Sequence, residues 1–199
     1  MPKTSSKDRI PVTVTQLEIA QRPSRVPARA PTMHRPLTLV RAFEPTNSYY
    51  RYLYDTVGEP WLWYERRQLE PDALQAILQD DRVGIYVLSY GGVPAGFAEL
   101  DTRPESNARS GDTLLAYFGL VPEFIGRGLG RFFLESVIEI AWESRDIARL
   151  VVRTCTLDHP SALPLYQKCG FVATRQQTTH IIDPRKTGLL PPDAGPVAV

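Results

Sequence analysis

The stretch Gly126-Arg127-Gly128-Leu129-Gly130-Arg131 decides the fold of this chain. It follows an apolar run, Leu114 to Val121, that is typical of a strand, and it precedes apolar residues at helical spacing between Phe132 and Trp142. Three glycines at a strand-to-helix junction let the backbone turn tightly and approach a ligand closely. The first turn of the helix offers unpaired N–H groups and the positive end of its dipole. The sequence therefore predicts a phosphate or pyrophosphate site here.

The spacing of these glycines excludes the two common nucleotide-binding motifs. A dinucleotide site needs G-x-G-x-x-G followed by an acidic residue about 20 positions on, whereas the spacing here is G-x-G-x-G. A P-loop needs a Lys-Ser/Thr pair after its last glycine, and Arg131-Phe132 stands in that place.

A second segment indicates which kind of phosphate-containing ligand the glycine loop binds. After the predicted strand Ala148–Arg153, the chain has His159-Pro160-Ser161-Ala162-Leu163-Pro164-Leu165-Tyr166 and then Gly170-Phe171. This order resembles the C-terminal motif of the GNAT superfamily of acyl-CoA-dependent N-acyltransferases, in which a strand is followed by Asn-x-x-Ala-x-x-x-Tyr and then Gly-Phe. The segment 125–130 is similar to the acyl-CoA loop of that family, Arg/Gln-x-x-Gly-x-Gly/Ala.

The resemblance covers roughly residues 36–183 and implies an α/β fold, with a GNAT-type mixed, strongly curved β-sheet and helices on both faces. It implies an acetyl-CoA-dependent N-acetyltransferase that acts on a primary amine, by direct transfer in a ternary complex. Acetyl-CoA is then the co-substrate, and no metal is expected. The residues expected to contact acetyl-CoA are Phe118, Gly119, Leu120, Ile125, Gly126, Arg127, Gly128, Leu129, Gly130, Arg131 and His159.

Two positions depart from the family pattern. Ile125 occupies the Arg/Gln position of the loop, where the backbone can still donate hydrogen bonds. His159 occupies the Asn position of the second motif, and a histidine can also form hydrogen bonds.

The resemblance makes Tyr166 the general acid that protonates the leaving sulfur. The general base is less clearly marked. Glu99 and Asp101 lie on one face of their predicted strand, and either could take the amine proton directly or through water. We rank Glu99 first. Tyr117 is a further polar group close to the loop. Some relatives carry a glutamate where this chain has Leu114.

Seven aromatic rings lie within sixteen residues, in a region that covers the acceptor site in the resembled family. They are Tyr49, Tyr50, Tyr52, Tyr54, Trp61, Trp63 and Tyr64. Such rings suit an apolar or cationic small molecule, but they also suit a core with a lid. A protein or peptide N-acetyltransferase, and a non-catalytic acyl-CoA-binding regulatory module, remain as alternatives.

Composition sets the remaining expectations. Residues 1–35 hold seven Lys and Arg against two acids, a basic Pro-rich extension of net charge +5; the whole chain is +1, which leaves −4 for the rest. The near-neutral total gives no indication of nucleic-acid binding. Without a long apolar run or a secretory signal, we expect a cytoplasmic protein with no membrane partner and with reduced cysteines.

The predicted organisation has three parts. Residues 1–35 form the N-terminal extension, with an extra strand at 10–19 that we expect at a sheet edge or in a homodimer contact. Residues 36–183 form the acetyltransferase domain, which ends in two short strands, Phe171–Arg175 and Thr178–Asp183. Residues 184–199 are Pro- and Gly-rich and are predicted to be a flexible tail.

Overall fold

The computed structural model describes residues 8–24, 29–106, 111–144 and 147–195. The strands are β1 (Arg9–Ile19), β2 (Leu37–Ala42), β3 (Val83–Tyr90), β4 (Val93–Asp101), β5 (Asp112–Leu120), β6 (Arg149–Cys155) and β7 (Val172–Ile182). The helices are α1 (Asn47–Gly58), α2 (Pro71–Leu78), α3 (Leu129–Ser144) and α4 (Ala162–Lys168).

All the strands belong to one sheet in the order β2-β3-β4-β5-β6-β1-β7. Neighbouring strands run antiparallel except β5 and β6, which are parallel and are connected through α3. The prediction of a mixed α/β sheet is confirmed.

Helices cover both faces of the sheet, as the alternation of side chains along β3 requires. Val83, Ile85 and Val87 pack with α1 and α2, in a cluster that includes Leu53 and Leu74. The intervening residues Tyr86 and Leu88 belong to the cluster on the opposite face, which the apolar side of α3 completes through Phe133, Leu134 and Val137.

The N-terminal strand β1 is an interior strand, so its predicted place at a sheet edge is wrong. Val14 to Ile19 pair with β6 on one side, and Arg9 to Glu18 pair with β7 on the other. Leu17 is fully buried and Ile19 nearly so, because both face the α3 cluster. The basic extension therefore contributes a structural strand to the domain.

The two predicted terminal strands form one continuous strand, β7. The polar residues Gln176 and Gln177 do not interrupt it, because β7 lies at the sheet edge with its side chains exposed. Its partner β1 also has eleven residues and pairs with it along nearly its full length. The register shifts once, between Gln16 and Leu17.

The chain beyond β7 folds back on the domain. Leu190 and Ala194 are buried against Leu62, which the Pro- and Gly-rich composition did not predict. Parts of both predicted extensions, residues 1–7, 25–28 and 196–199, lie outside the described residues. Within the described ranges, no helix is both long and apolar enough to cross a bilayer.

Candidate active site

The parallel strands β5 and β6 separate along their length. They pair only from Asp112–Leu115 to Arg149–Val152, and beyond this point β5 remains paired with β4 alone. A cleft of about 760 Å³ lies where the strands diverge. The predicted contact residues Phe118, Gly119 and Leu120 line it, with main-chain groups on the side that β6 has left.

Gly119 is required by close packing rather than by a bulge. A Cβ at this position would lie 2.4 Å from Cγ1 of Val57 in α1. The irregularity in β5 lies earlier: Glu99 pairs with Tyr117 and Leu100 with Leu115, so Ala116 is the extra residue. The bulge turns Tyr117 and Gly119 towards α1, and Phe118 towards Phe133 of α3.

The predicted phosphate loop forms one end of the cleft. Gly126 and Gly128 have φ values of +79° and +78°, which favour glycine, and α3 begins directly afterwards at Leu129. A Cβ on either glycine would meet no heavy atom within 4 Å, so the surface of the loop is open. Ile125, Gly126 and Gly130 line the cleft. The loop thus has the form of an anion cradle at a helix N-terminus.

The two arginines of the loop have partners on the protein. Arg127 lies over the ring of Phe124, 5.0 Å from its centroid, and Nε of Arg131 donates to Oε1 of Glu135 at 3.0 Å. Both arginines are exposed at the loop, where their positive charge faces solvent.

Tyr166 of α4 lines the middle of the cleft and is buried. Its ring packs edge-on against Phe118, at 6.2 Å between centroids, and against Phe171 at 5.7 Å. Burial raises the pKa of the Tyr166 phenol, and the charge of Asp158 raises it further. The hydroxyl is therefore a proton donor that stays protonated at neutral pH.

His159 stabilises the turn that leads into α4. Its Nδ1 accepts a hydrogen bond from the N–H of Ser161 at 3.0 Å, and its carbonyl accepts one from Ala162 at 2.8 Å. With Nδ1 as an acceptor, the neutral ring carries its proton on Nε2. The ring also packs edge-on against Trp61, at 5.1 Å, so His159 links α4 to the aromatic region.

Glu99 is held in a buried network behind the cleft wall. One oxygen accepts from Arg66, and the other accepts from the Tyr50 hydroxyl at 2.5 Å. Glu99 is fully buried, and the guanidinium of Arg66 lies 5.3 Å from the Tyr117 ring centroid. Burial and the neighbouring carboxylate raise the pKa of Tyr50 well above its ordinary value.

Asp101, the other candidate carboxylate, lines the cleft but is also paired. Arg103 donates to it from its backbone N–H at 2.8 Å and from its guanidinium at 2.7 Å. Neither strand carboxylate therefore stands free at the cleft surface.

The aromatic region divides between core and cleft. Tyr50 and Tyr54 lie on the buried face of α1, whereas Tyr49 and Tyr52 are exposed. The remaining rings line the cleft together with one ring of β5, and we call this set the aromatic wall: Trp61, Trp63, Tyr64 and Tyr117.

The comparisons with known proteins agree with this geometry. The family model for the GNAT acetyltransferases matches residues 46–171. This chain belongs to the GNAT acetyltransferase family. The match runs from the residue that caps α1 to the residue before β7, so β1, β2 and β7 lie outside the matched part.

Solved GNAT structures share the fold at low sequence identity. A GCN5-related N-acetyltransferase from Kribbella flavida has 16% identity and a TM-score of 0.57 over 86% of this chain and 58% of its own. One from Sphaerobacter thermophilus has 15% identity and a TM-score of 0.58 over 87% of this chain and 52% of its own. This GNAT chain thus spans only about half to three fifths of the length of these two proteins.

A shorter relative matches nearly end to end. An aminoglycoside N-acetyltransferase, AAC(6')-Iy, in complex with CoA has 19% identity and a TM-score of 0.52 over 73% of this chain and 94% of its own. None of the curated proteins matches this GNAT chain.

The structure brings most of the predicted residues of this GNAT protein to one cleft. The loop, β5, His159 and Tyr166 meet there, whereas Glu99 lies behind the wall. Sequence reasoning missed Asp158, whose Oδ2 accepts from the Thr154 hydroxyl at 2.7 Å and from the Cys155 N–H at 2.8 Å. Its position directly before His159 in the matched motif was the available signal.

Cys155 lies beside Asp158 and also lines the cleft. Burial and the charge of Asp158 raise the pKa of its thiol to about 11, so the thiol is protonated at neutral pH. Cys155 and Cys169 are both free cysteines.

Proposed function

We propose that this protein is an acetyl-CoA-dependent N-acetyltransferase that moves an acetyl group to a primary amine of a small molecule, by direct transfer in a ternary complex. The observation that carries the proposal is one continuous cleft, which joins the open glycine loop to the aromatic wall with Tyr166 between them. Both substrates can therefore meet at a single proton donor.

Three groups of residues would bind acetyl-CoA, stabilise the thioester oxygen and donate the proton. Backbone N–H groups of residues 126–131 would hold the pyrophosphate, and the free edge of β5 at Phe118–Leu120 would pair with the acyl arm and donate to the thioester oxygen. Acetyl-CoA supplies the activated acyl thioester. As the new C–N bond forms and the C–S bond breaks, Tyr166 would give its proton to the sulfur.

The group that accepts the amine proton stays a prediction. Glu99 could take it only through Tyr50, because Arg66 and Tyr50 engage both of its oxygens and the guanidinium of Arg66 keeps its protons. We therefore propose that Glu99 positions Arg66, and that the amine proton leaves through water at the mouth of the cleft.

The proposed acceptor is a small molecule rather than a peptide, because the aromatic wall and α4 enclose the acceptor side, with Trp61 packed on His159. The proposed setting is cytoplasmic, in keeping with the two free cysteines.

A homodimer is the assembly that we propose. The exposed edge strand β7 supports it, since an unpaired edge tends to find a partner strand. Antiparallel pairing of two copies about Gln177 would set Val172 against Ile182 at both ends and would place no like charges opposite each other. A sedimentation mass equal to one chain would contradict this assembly.

Thermal unfolding with a panel of acyl-CoAs and amines tests the function. Acetyl-CoA should raise the midpoint, and one class of small amine should raise it further, because ligands that bind only the native state stabilise it. A protein acetyltransferase would instead respond to peptides. A regulatory module would be stabilised by acetyl-CoA but would transfer no acetyl group.

A further inference from the structure

One carboxylate on the acceptor side of the cleft has no cationic partner. The two arginines on that side, Arg66 and Arg103, are neutralised by Glu99 and Asp101. Glu65 also lines this side, and it forms no ion pair with any described residue. Glu65 therefore presents to the cleft a carboxylate that no ion pair with a described residue neutralises.

The side chain of Glu65 is held in place by uncharged donors. The Tyr54 hydroxyl donates to Oε2 at 3.2 Å, and the backbone N–H of Tyr64 donates to the same oxygen at 3.3 Å. The following residue, Arg66, is locked by Glu99, and its own N–H bonds to the Tyr54 hydroxyl at 3.3 Å. These contacts leave Oε1 of an exposed carboxylate available to a ligand.

The surroundings of Glu65 suit a cation. Tyr64 and the other rings of the aromatic wall line the same part of the cleft, and aromatic faces attract ammonium groups. Arg66 already lies over the ring of Tyr117 in this way. A carboxylate oxygen among such rings can form a short, charge-assisted hydrogen bond with an ammonium group.

Glu65 and Tyr166 are held on opposite faces of β5. Glu65 is bonded to Tyr54, whose ring packs against Tyr117 at 5.0 Å between centroids, whereas Tyr166 packs against the neighbouring Phe118 on the α3 face. An ammonium bound at Glu65 is therefore not the amine that reacts beside Tyr166, since the reacting amine must also lose its charge.

We infer that Glu65 binds a second positive charge of the acceptor, so that the acceptor is a diamine or polyamine whose distal ammonium rests between Glu65 and the aromatic wall. The inference rests on the proposed function for the identity of the cleft. It makes Glu65 a specificity-determining residue.

The test is calorimetric binding in the presence of CoA, which fills the cofactor end without allowing turnover. The probes are diaminobutane and diaminohexane, each compared with butylamine and hexylamine of equal chain length. The native protein should bind one of the diamines at least about tenfold more tightly than its monoamine, and Glu65→Gln should abolish that preference. Glu70→Gln removes an equal charge from an exposed position outside the cleft, so it should keep the preference.

Three results would overturn the inference: equal binding of diamine and monoamine by the native protein, no binding of either, or a preference that survives in Glu65→Gln. Acetyl transfer is measured separately. If the protein transfers acetyl groups to monoamines and binds diamines no more tightly, the proposed function stands and the Glu65 subsite is contradicted. If Glu65→Gln loses the diamine preference but the native protein transfers no acetyl group to any amine, the Glu65 subsite stands and the proposed function is wrong.

Discussion

Tyr166 is the residue on which the proposed chemistry depends most. A proton donor works only while it is protonated, and both burial and Asp158 raise the pKa of this phenol above its ordinary value. The activity should therefore show no alkaline loss that is due to Tyr166 up to about pH 10. The measurement is kcat against pH at saturating substrates.

The variant Tyr166→Phe serves as the control for that profile. It removes the hydroxyl but keeps the ring against Phe118 and Phe171, so kcat should fall by about 100-fold while the fold is retained. An alkaline loss near pH 8 to 9 that is present in the native enzyme and absent from the variant would contradict the assignment.

Glu99 supports a prediction about stability. Glu99→Gln would leave the partly buried Arg66 without its counter-charge, and such a change lowers the free energy of unfolding by about 3 kcal/mol. Glu59→Gln breaks a more exposed pair with Arg67 and should cost less than about 1 kcal/mol. Urea unfolding measures both, and equal losses would show that the Glu99 network does not stabilise the fold as described.

For single residues, the sequence predicted the location of a side chain better than its hydrogen-bond partners. The motif placed Tyr166 and His159 at the cleft, because local spacing fixes where α4 begins. It could not show that Arg66, thirty-three residues away along the chain, donates a hydrogen bond to Glu99. Long-range pairing of that kind depends on how α1 and the following loop pack on β4.

At the scale of elements, the glycine loop makes the sharpest prediction. Gly126→Ala would force a left-handed backbone on alanine, at a cost of about 1 kcal/mol, and would place a methyl group on the open surface of the loop. Gly92→Ala, in the turn between β3 and β4, has the same backbone conformation and the same open surroundings. Both variants should lose similar stability.

Only Gly126→Ala should also raise the KM for acetyl-CoA, by roughly tenfold, because a methyl group keeps the phosphate from the backbone N–H groups. An unchanged KM in Gly126→Ala, in a folded sample, would show that the pyrophosphate rests elsewhere.

Most strand and helix positions followed from periodicity and glycine placement, but the order of the strands did not. The period-two pattern of residues 10–19 predicted a strand, yet nothing local could show that β1 lies between β6 and β7. The polar centre of β7 resembled a break, because an exposed edge strand has no apolar alternation to mark it. The position of both strands is set by pairing across more than 130 residues.

At the scale of the whole molecule, the two ends of the chain help to build the cleft. Val12 and Val14 of β1 and Thr179 and Ile181 of β7 line it, and the C-terminal segment covers Leu62 beside the aromatic wall. The residues that the family model matches, 46–171, include neither strand. We therefore expect residues outside the matched part of the chain to influence which acceptor the cleft takes.

The most direct test of the account is acetyl transfer itself. Purified protein is incubated with acetyl-CoA and the panel of small amines, and both free CoA and the N-acetylated amine are quantified by mass spectrometry. The account predicts equal amounts of the two products for at least one amine, and a rate that falls about 100-fold in Tyr166→Phe. A folded protein that binds acetyl-CoA but forms no acetylated amine, or an unchanged rate in Tyr166→Phe, would contradict it.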